Sequence, residues 1–576
     1  MAGQSRKWMI LVATIWIQAF TGTNFDFSAY SSTLKSVLGI SQVQLNYLAV
    51  ASDMGKVFGW SSGLALLHLP LAVVMFISAF MGLIGYGLQW FVIRGVITVP
   101  YFVEFLLCLL SGCSICWFNT VCFVLCIRNF PSNRALALSL TVGFNGVTAA
   151  LYTLIADSLD PSSSSVYLLL NASVPLLISS LALVPILRQP TLSPLPPEAV
   201  RLDSLIFLIL NVAAALTGIY LLVIGTFSTD IGTARILLGG AVVLLAFPLF
   251  IPGILYARSW FQQTVRTSFR LEDSGFLLVD DEDLELHKEL ITSDVSVHEN
   301  GLTHLISENG SSYGLTRRKH PEIEGCCEAI IGRNQLVMLG EEHPARLLVR
   351  RVDFWLYYVA YFCGGTIGLV YSNTLGQIAQ SLGQASQTTM LITLYSSFSF
   401  FGRLLSAAPD YIRAKLYFAR TGWLSLALIP TPVAFFMLAT SGNATVLAVA
   451  TSFIGLSSGF IFAAAVSITS ELFGPNSVGV NHNILITNIP IGSLSYGLLA
   501  AIVYDSNTSS DSTMRSLFLF LFSDSTVCYG KACYFLTFVL WGCFSVVGLT
   551  CSLLLFLRTR PAYDRFERGR ISAQLY

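Results

Sequence analysis

Charge is what this chain has least of. Of its 576 residues only 11% are Asp, Glu, Lys or Arg, against roughly 25% in soluble globular proteins. With 54% hydrophobic residues and a mean hydropathy of +0.69, a water-soluble body on a single anchor is excluded. At about 20 residues per crossing, the apolar content fills a dozen or more spans. Histidine is also scarce, and five of the seven lie in residues 258–350 without ligand spacing. The adjacent Cys326 and Cys327 are not a CxxC pair, so neither a metal nor a cofactor is expected. The chain has no HExxH, phosphate-binding loop, GxSxG or paired intramembrane aspartates, which argues against an enzyme. Nothing points to nucleic acid.

What is present is a series of apolar runs between charged or Pro/Gly/Ser-rich breaks. They place six spans near 8–33, 43–66, 71–92, 98–127, 135–156 and 165–187, and a hairpin near 203–226 and 234–257. Six more follow near 352–378, 387–408, 419–439, 443–467, 477–504 and 532–557. The expected organisation is an all-α polytopic membrane protein of about fourteen spans. An N-terminal six-helix half (1–190) is followed by an extra hairpin (200–257), an acidic loop (258–350), a C-terminal six-helix half (351–558) and a tail (559–576). The first apolar run merges into a full span, so no cleavable signal is expected.

Short cytosolic loops keep Lys and Arg. Arg6, Lys7, Arg128, Arg134, Arg188, Arg201, Arg413, Lys415, Arg420, Arg558 and Arg560 all fall on the side of the N-terminus, which is therefore expected to be cytosolic together with residues 258–350. The opposite side carries few cations and the glycosylation sequons at Asn443 and Asn507. It also carries Cys528 and Cys533, which an oxidising compartment would allow to pair. Sequons at Asn309, in the cytosolic loop, and Asn171, inside a span, are expected to be silent. The remaining cysteines lie mostly in apolar runs and read as reduced packing residues.

Internal repetition is the strongest signal. Tyr30-Ser31-Ser32-Thr33-Leu34 recurs as Tyr371-Ser372-Asn373-Thr374-Leu375 after 341 residues. Gly55-Lys56 recurs as Gly402-Arg403 after 347, and Phe130-Pro131-Ser132-Asn133 resembles Phe473-Gly474-Pro475-Asn476 at 343. Ordered matches at nearly constant offset indicate two homologous halves related by a pseudo-two-fold axis along the membrane normal, the arrangement of major facilitator carriers.

The segments Phe20–Asn46 (FTGTNFDFSAYSSTLKSVLGISQVQLN) and Asn129–Leu140 (NFPSNRALALSL) resemble the plant nodulin-like, nuclear-fusion-defective branch of the major facilitator superfamily. The likeness covers nearly the whole chain, a nodulin-like segment over about 7–255 and a second half after 352. Ala135 stands where that branch more often has glycine. The resemblance implies a secondary transporter distantly akin to oxalate/formate and monocarboxylate carriers, with no substrate specified.

Charges inside the membrane are functional candidates by default. Asp26 lies in span 1 on a four-residue stripe with Gln18, Gly22 and Tyr30, and Glu104 lies near the start of span 4. In this fold the first and fourth helices of each half line the cavity, so these carboxylates are candidates for proton coupling, with Tyr371 and Asn488 as cavity residues from the second half. Asp26 near its span end also fits a wet surface acid. The segment SAAPDYIRAK (Ser406–Lys415) places an acid before cations at a cytosolic turn, where it can pair with Arg and latch the halves. Arg403, Asp410, Arg413 and Lys56 are the gating candidates, and Gly63 occupies the position where the first half would carry its acid. Glycines 364, 365, 368, 455 and 459 are expected to be close-packing surfaces.

Every Lys and Arg can be assigned to a span end or loop, which favours a neutral, zwitterionic or cationic solute. In the acidic loop, Asp273 precedes Leu277-Leu278 by four residues, the spacing of a dileucine signal read by sorting adaptors. Delivery to the vacuolar membrane is expected first and to the plasma membrane next. The partners called for are solute, protons, the bilayer and the sorting adaptors, and the chain is expected to be a monomer. The competing reading is a transporter-shaped sensor or scaffold that signals through the loop.

Overall fold

A computed structural model of the chain describes residues 2–40, 42–160, 163–189, 197–222, 231–268, 336, 338–413, 416–507 and 528–575. The described elements of the first half are helical: α1 (Ala2–Thr21), α2 (Phe27–Leu38), α3 (Gln42–Gly55), α4 (Trp60–His68), α5 (Leu71–Ile93), α6 (Tyr101–Asn129), α7 (Arg134–Phe144), α8 (Thr148–Leu159) and α9 (Ser165–Leu187). The inserted hairpin supplies α10 (Pro197–Leu222) and α11 (Ile231–Ala246), and α12 spans Phe250–Ser268. The second half runs through α13 (Ala345–Leu348), α14 (Val352–Tyr361), α15 (Ile367–Ser381), α16 (Thr388–Leu405), α17 (Ala408–Ile412), α18 (Arg420–Leu428) and α19 (Pro430–Thr440). It ends in α20 (Ala444–Phe473), α21 (Val478–Leu485), α22 (Asn488–Ser506) and α23 (Ala532–Leu575). Helix is the form in which an apolar chain satisfies its own backbone where water is absent.

Among the described residues twelve helices are long and apolar enough to cross a membrane. The chain is thus an integral multi-pass membrane protein, while the fourteen spans of the sequence reading are not all matched. The two outside the set are the first two. A 3₁₀ turn at Thr23–Asp26 separates α1 from α2, and another at Lys56–Gly59 separates α3 from α4. Neither turn contains proline, so hydropathy alone reads straight through them.

The repeat is visible in the packing. A Cβ at Gly55 would strike the backbone of Leu109 and Cys113, and one at Gly402 would strike the backbone of Leu456 and Phe460. All three positions are 347 residues apart. The same offset relates Gly112, closed against Ser52, to Gly459, closed against Ser399. Two helix pairs, α3 with α6 and α16 with α20, therefore pack in one register, each through glycine on both sides. The breaks repeat as well. A π turn at Phe362–Thr366 answers Thr23–Asp26, and the 3₁₀ turn starting at Asn145 answers the interruption before Asn488.

The halves meet where α21 packs on α4, α16 and α20 on α7, and α22 on α3. Gly63 abuts the backbone of Gly479 at the α4–α21 crossing. The first half lacks an acid there because no side chain fits. The hairpin helix α10 packs on both α7 and α16, and α11 packs on α8.

Residues 254–330 form a second compact unit, of which 254–268 are described. The second half begins earlier than expected. Residues 338–348, assigned to the loop by sequence, are docked: Gly340 and His343 donate backbone hydrogen bonds to the carbonyls of Glu471 and Phe473. Glu342 accepts from the backbone amides of Asn476 and Ser477 at 2.8 and 3.0 Å, at the N-terminus of α21.

Candidate coupling site, central cations and terminal-face network

Asp26 closes the 3₁₀ turn between α1 and α2 and is 3% exposed. Its Oδ1 accepts a hydrogen bond of 3.1 Å from Nδ2 of Asn171 on α9. Its Oδ2 and the Oδ1 of Asn171 are buried without a hydrogen-bond partner. Tyr30, Tyr86, Tyr152 and Tyr167 lie within electrostatic range of the carboxyl group. Tyr86 in turn pairs with Thr23 at 2.7 Å. The wet surface acid of the sequence reading is excluded. The four-residue stripe is interrupted by the 3₁₀ turn, and Gln18 donates to Asn119 at 2.8 Å.

Glu104 is fully buried, and both of its carboxyl oxygens lack a hydrogen-bond partner. It acts on Tyr30 together with Cys108. Its counterpart at offset 347 is Thr451, which pairs with Tyr371, the counterpart of Tyr30, at 2.7 Å. The first half thus carries a carboxyl where the second carries a hydroxyl. Both carboxyl groups, expected to line a cavity, are buried in the interior of the first half.

Two cations lie deep in the bundle, contrary to the expectation that every Lys and Arg sits at a span end or loop. Lys56, 7% exposed, bonds Asp53 at 2.6 Å, and Asp53 accepts from Ser493 of the second half at 2.9 Å. Arg403, 4% exposed, donates to the carbonyl of Val142 at 3.2 Å and to Oδ1 of Asn145 at 3.5 Å in the first half. Tyr361 lies within range of both Arg403 and Cys116, and Cys116 within range of Lys56. Asn488, the counterpart of Asn145, accepts from Thr366 at 2.7 Å. Of these repeat-related cations, Arg403 binds directly across to the first half, and Lys56 is linked to the second through Asp53. Lys56 therefore stands at the centre rather than at a terminal gate.

The gate candidates separate in the same way. Asp410 does not bond Arg403; it receives Arg420 through both oxygens at 2.7 and 2.9 Å. Arg420 also bonds Glu471 at 3.0 Å, and Glu471 accepts from Tyr563 at 2.8 Å. Arg413 bonds Glu567. Arg134 of the first half lines the same pocket and acts on Glu471. The sequence reading missed Glu471 because it ends a long apolar helix, although Arg420 and Arg134 were both visible as flanking cations.

Comparison with known proteins decides the family. Residues 7–253 match the Nodulin-like family and residues 337–565 match the NFD4 C-terminal domain. The chain is 56% identical over 574 residues to Protein NUCLEAR FUSION DEFECTIVE 4 of Arabidopsis thaliana, covering 99% of this chain and 92% of that protein. The chain belongs to the nodulin-like, nuclear-fusion-defective family. It is also 28% identical over 197 residues to a probable transporter, MCH1, of Yarrowia lipolytica, covering 33% of this chain and 38% of that one. The fold is similar to that of the major facilitator proton:xylose symporter XylE, with a TM-score of 0.52, 11% identity, and 96% and 95% of the two chains covered.

In this nodulin-like chain the NFD4-type match starts at 337, which agrees with the docked strap at 338–348. Cys528 and Cys533 are joined in a disulfide. Asn443 and Asn507 are exposed, whereas Asn171 is wholly buried. Among the described residues no cluster of metal-ligating side chains occurs. Asp273, Leu277, Leu278, Asn309 and Lys415 lie outside the described residues.

Proposed function

We propose that the chain is a secondary transporter, not an enzyme, that moves a small solute across a membrane by alternating access, driven by protons through Asp26. The observation that carries this reading is a carboxyl buried at the break between α1 and α2, surrounded by tyrosines and an amide. A carboxylate in such surroundings is costly to keep ionised. Movement of the halves that rewets it lets it bind and release a proton. The repeat-related residues Lys56, Arg403, Asn145 and Asn488 are the proposed solute locus, because Arg403 bonds Asn145 across the halves and Lys56 is linked through Asp53 to Ser493. Cations at that locus remove the ground for preferring a neutral, zwitterionic or cationic solute. A solute uptake screen in sealed vesicles with an imposed pH gradient tests the reading. Accumulation of at least one solute in wild-type vesicles and exchange without accumulation in Asp26→Asn is the expected result.

The termini and residues 258–350 are proposed to be cytosolic, with the disulfide, Asn443 and Asn507 on the other side. Protease protection in sealed vesicles tests that orientation. The Asp273/Leu277/Leu278 spacing supports delivery to the vacuolar membrane, and Leu277→Ala with Leu278→Ala is expected to redirect a fluorescent fusion to the plasma membrane.

A further inference from the structure

We propose that Asn171 is the positioning residue for the coupling proton, holding the neutral form of Asp26 in a cyclic acid–amide pair. This deepens the proton-coupling reading of Asp26. The Asn171 amide donates through Nδ2 to Oδ1 of Asp26, so the two planar groups already share one side of such a ring. The atoms left over on the same two side chains are Oδ2 of Asp26 and Oδ1 of Asn171, both buried and both without a hydrogen-bond partner. Two acceptor oxygens cannot bond each other. A single proton on Oδ2 turns one of them into a donor and completes both groups at once. A side chain that only capped a carboxylate would turn both amide hydrogens toward the acid or toward water and would not strand its own carbonyl in a dry interior.

Among the described residues the surroundings supply no competing answer. Groups acting on Asp26 are Tyr30 from α2, Tyr86 from α5, Tyr152 from α8 and Tyr167 from α9, and Glu104 and Cys108 of α6 reach Tyr30. All are acids, so none offers the acid a counter-cation. Asn171 is 0% exposed and sits on α9 within the same half, while Asp26 sits at a helix break. A shift of α1 against α2 at that break therefore separates acid from amide, exposes the proton to water and permits its release. The proton passes between water and Oδ2 in both directions, with no covalent change elsewhere.

Infrared difference spectra of the reconstituted full chain between acidic and alkaline pH test the pair. Wild type is expected to show a protonated-carboxyl carbonyl band that is absent in Asp26→Asn. In Asn171→Leu that band is expected to move to higher frequency, with the pH at half-conversion displaced by the equivalent of about tenfold in proton affinity, the scale of one buried hydrogen bond. Asn171→Gln, which keeps the amide, is expected to return the band toward its wild-type position. Asn171→Ala serves where the leucine variant does not fold. A band removed by Asp26→Asn yet identical in frequency and midpoint in wild type and the Asn171 variants would overturn the proposal, and so would the lack of any Asp26-dependent band. Should the band shift as expected while Asp26→Asn still accumulates solute, the pair stands and the coupling role of Asp26 falls.

Discussion

Arg558 and Asp353 are 2% and 0% exposed and bond at 2.6 Å, tying α23 to α14 at opposite ends of the second half's sequence. Removing one partner strands a buried charge, which typically costs about 3–5 kcal/mol. Arg558→Met is expected to lower the melting temperature of the purified protein sharply, and Arg558→Met with Asp353→Leu to recover most of the loss. The same logic explains why Lys56 was misread as a gate residue. Its neutralising acid, Asp53, lies three residues earlier on the same face, so a lysine can enter the interior without a distant partner. Asn171 was hidden for the opposite reason. Its partner lies 145 residues away, and nothing local distinguishes a pairing amide from a chance sequon.

At the scale of helices, the glycine contacts decide which pairs can close. Gly402 approaches the backbone of α20 as Gly55 approaches that of α6. Gly402→Leu is therefore expected to push α16 from α20 and to abolish folded, monodisperse protein in size-exclusion chromatography, because no flexible side chain is there to yield. A leucine at Gly253, where nothing lies within 4 Å, is expected to leave the profile unchanged. Gly55-Lys56 and Gly402-Arg403 were legible in the sequence as a repeat and Gly459 as a close-packing residue, but which backbones they meet was not, since the partners Leu109 and Leu456 lie more than fifty residues away. The breaks at Thr23–Asp26 and Phe362–Thr366 were not, because neither holds a proline and only tertiary packing sustains them. The docked strap escaped as well: residues 338–344 have the composition of a loop, and their anchors are backbone groups of the α20–α21 turn.

For the whole molecule, the repeat made the two halves legible in the sequence, while the proposed access mechanism depends on contacts between those halves. Asp410, Arg420, Glu471 and Tyr563 form one network in the second half, and Arg134 brings the first half to it. Asp410→Asn is expected to shift the balance between access states by roughly 1–3 kcal/mol, the scale of a charge-assisted bond. Altered labelling of single cysteines placed at the two mouths would register it. Unchanged labelling in both Asp410→Asn and Arg134→Gln would remove the latch from the account. The central claim is that solute and protons move together through Asp26. The most direct measurement is proton movement in proteoliposomes on addition of a transported solute without an imposed gradient. Wild type is expected to alkalinise the outer medium as solute enters, and Asp26→Asn to exchange solute with no pH change. Equal alkalinisation by the two proteins would contradict the account.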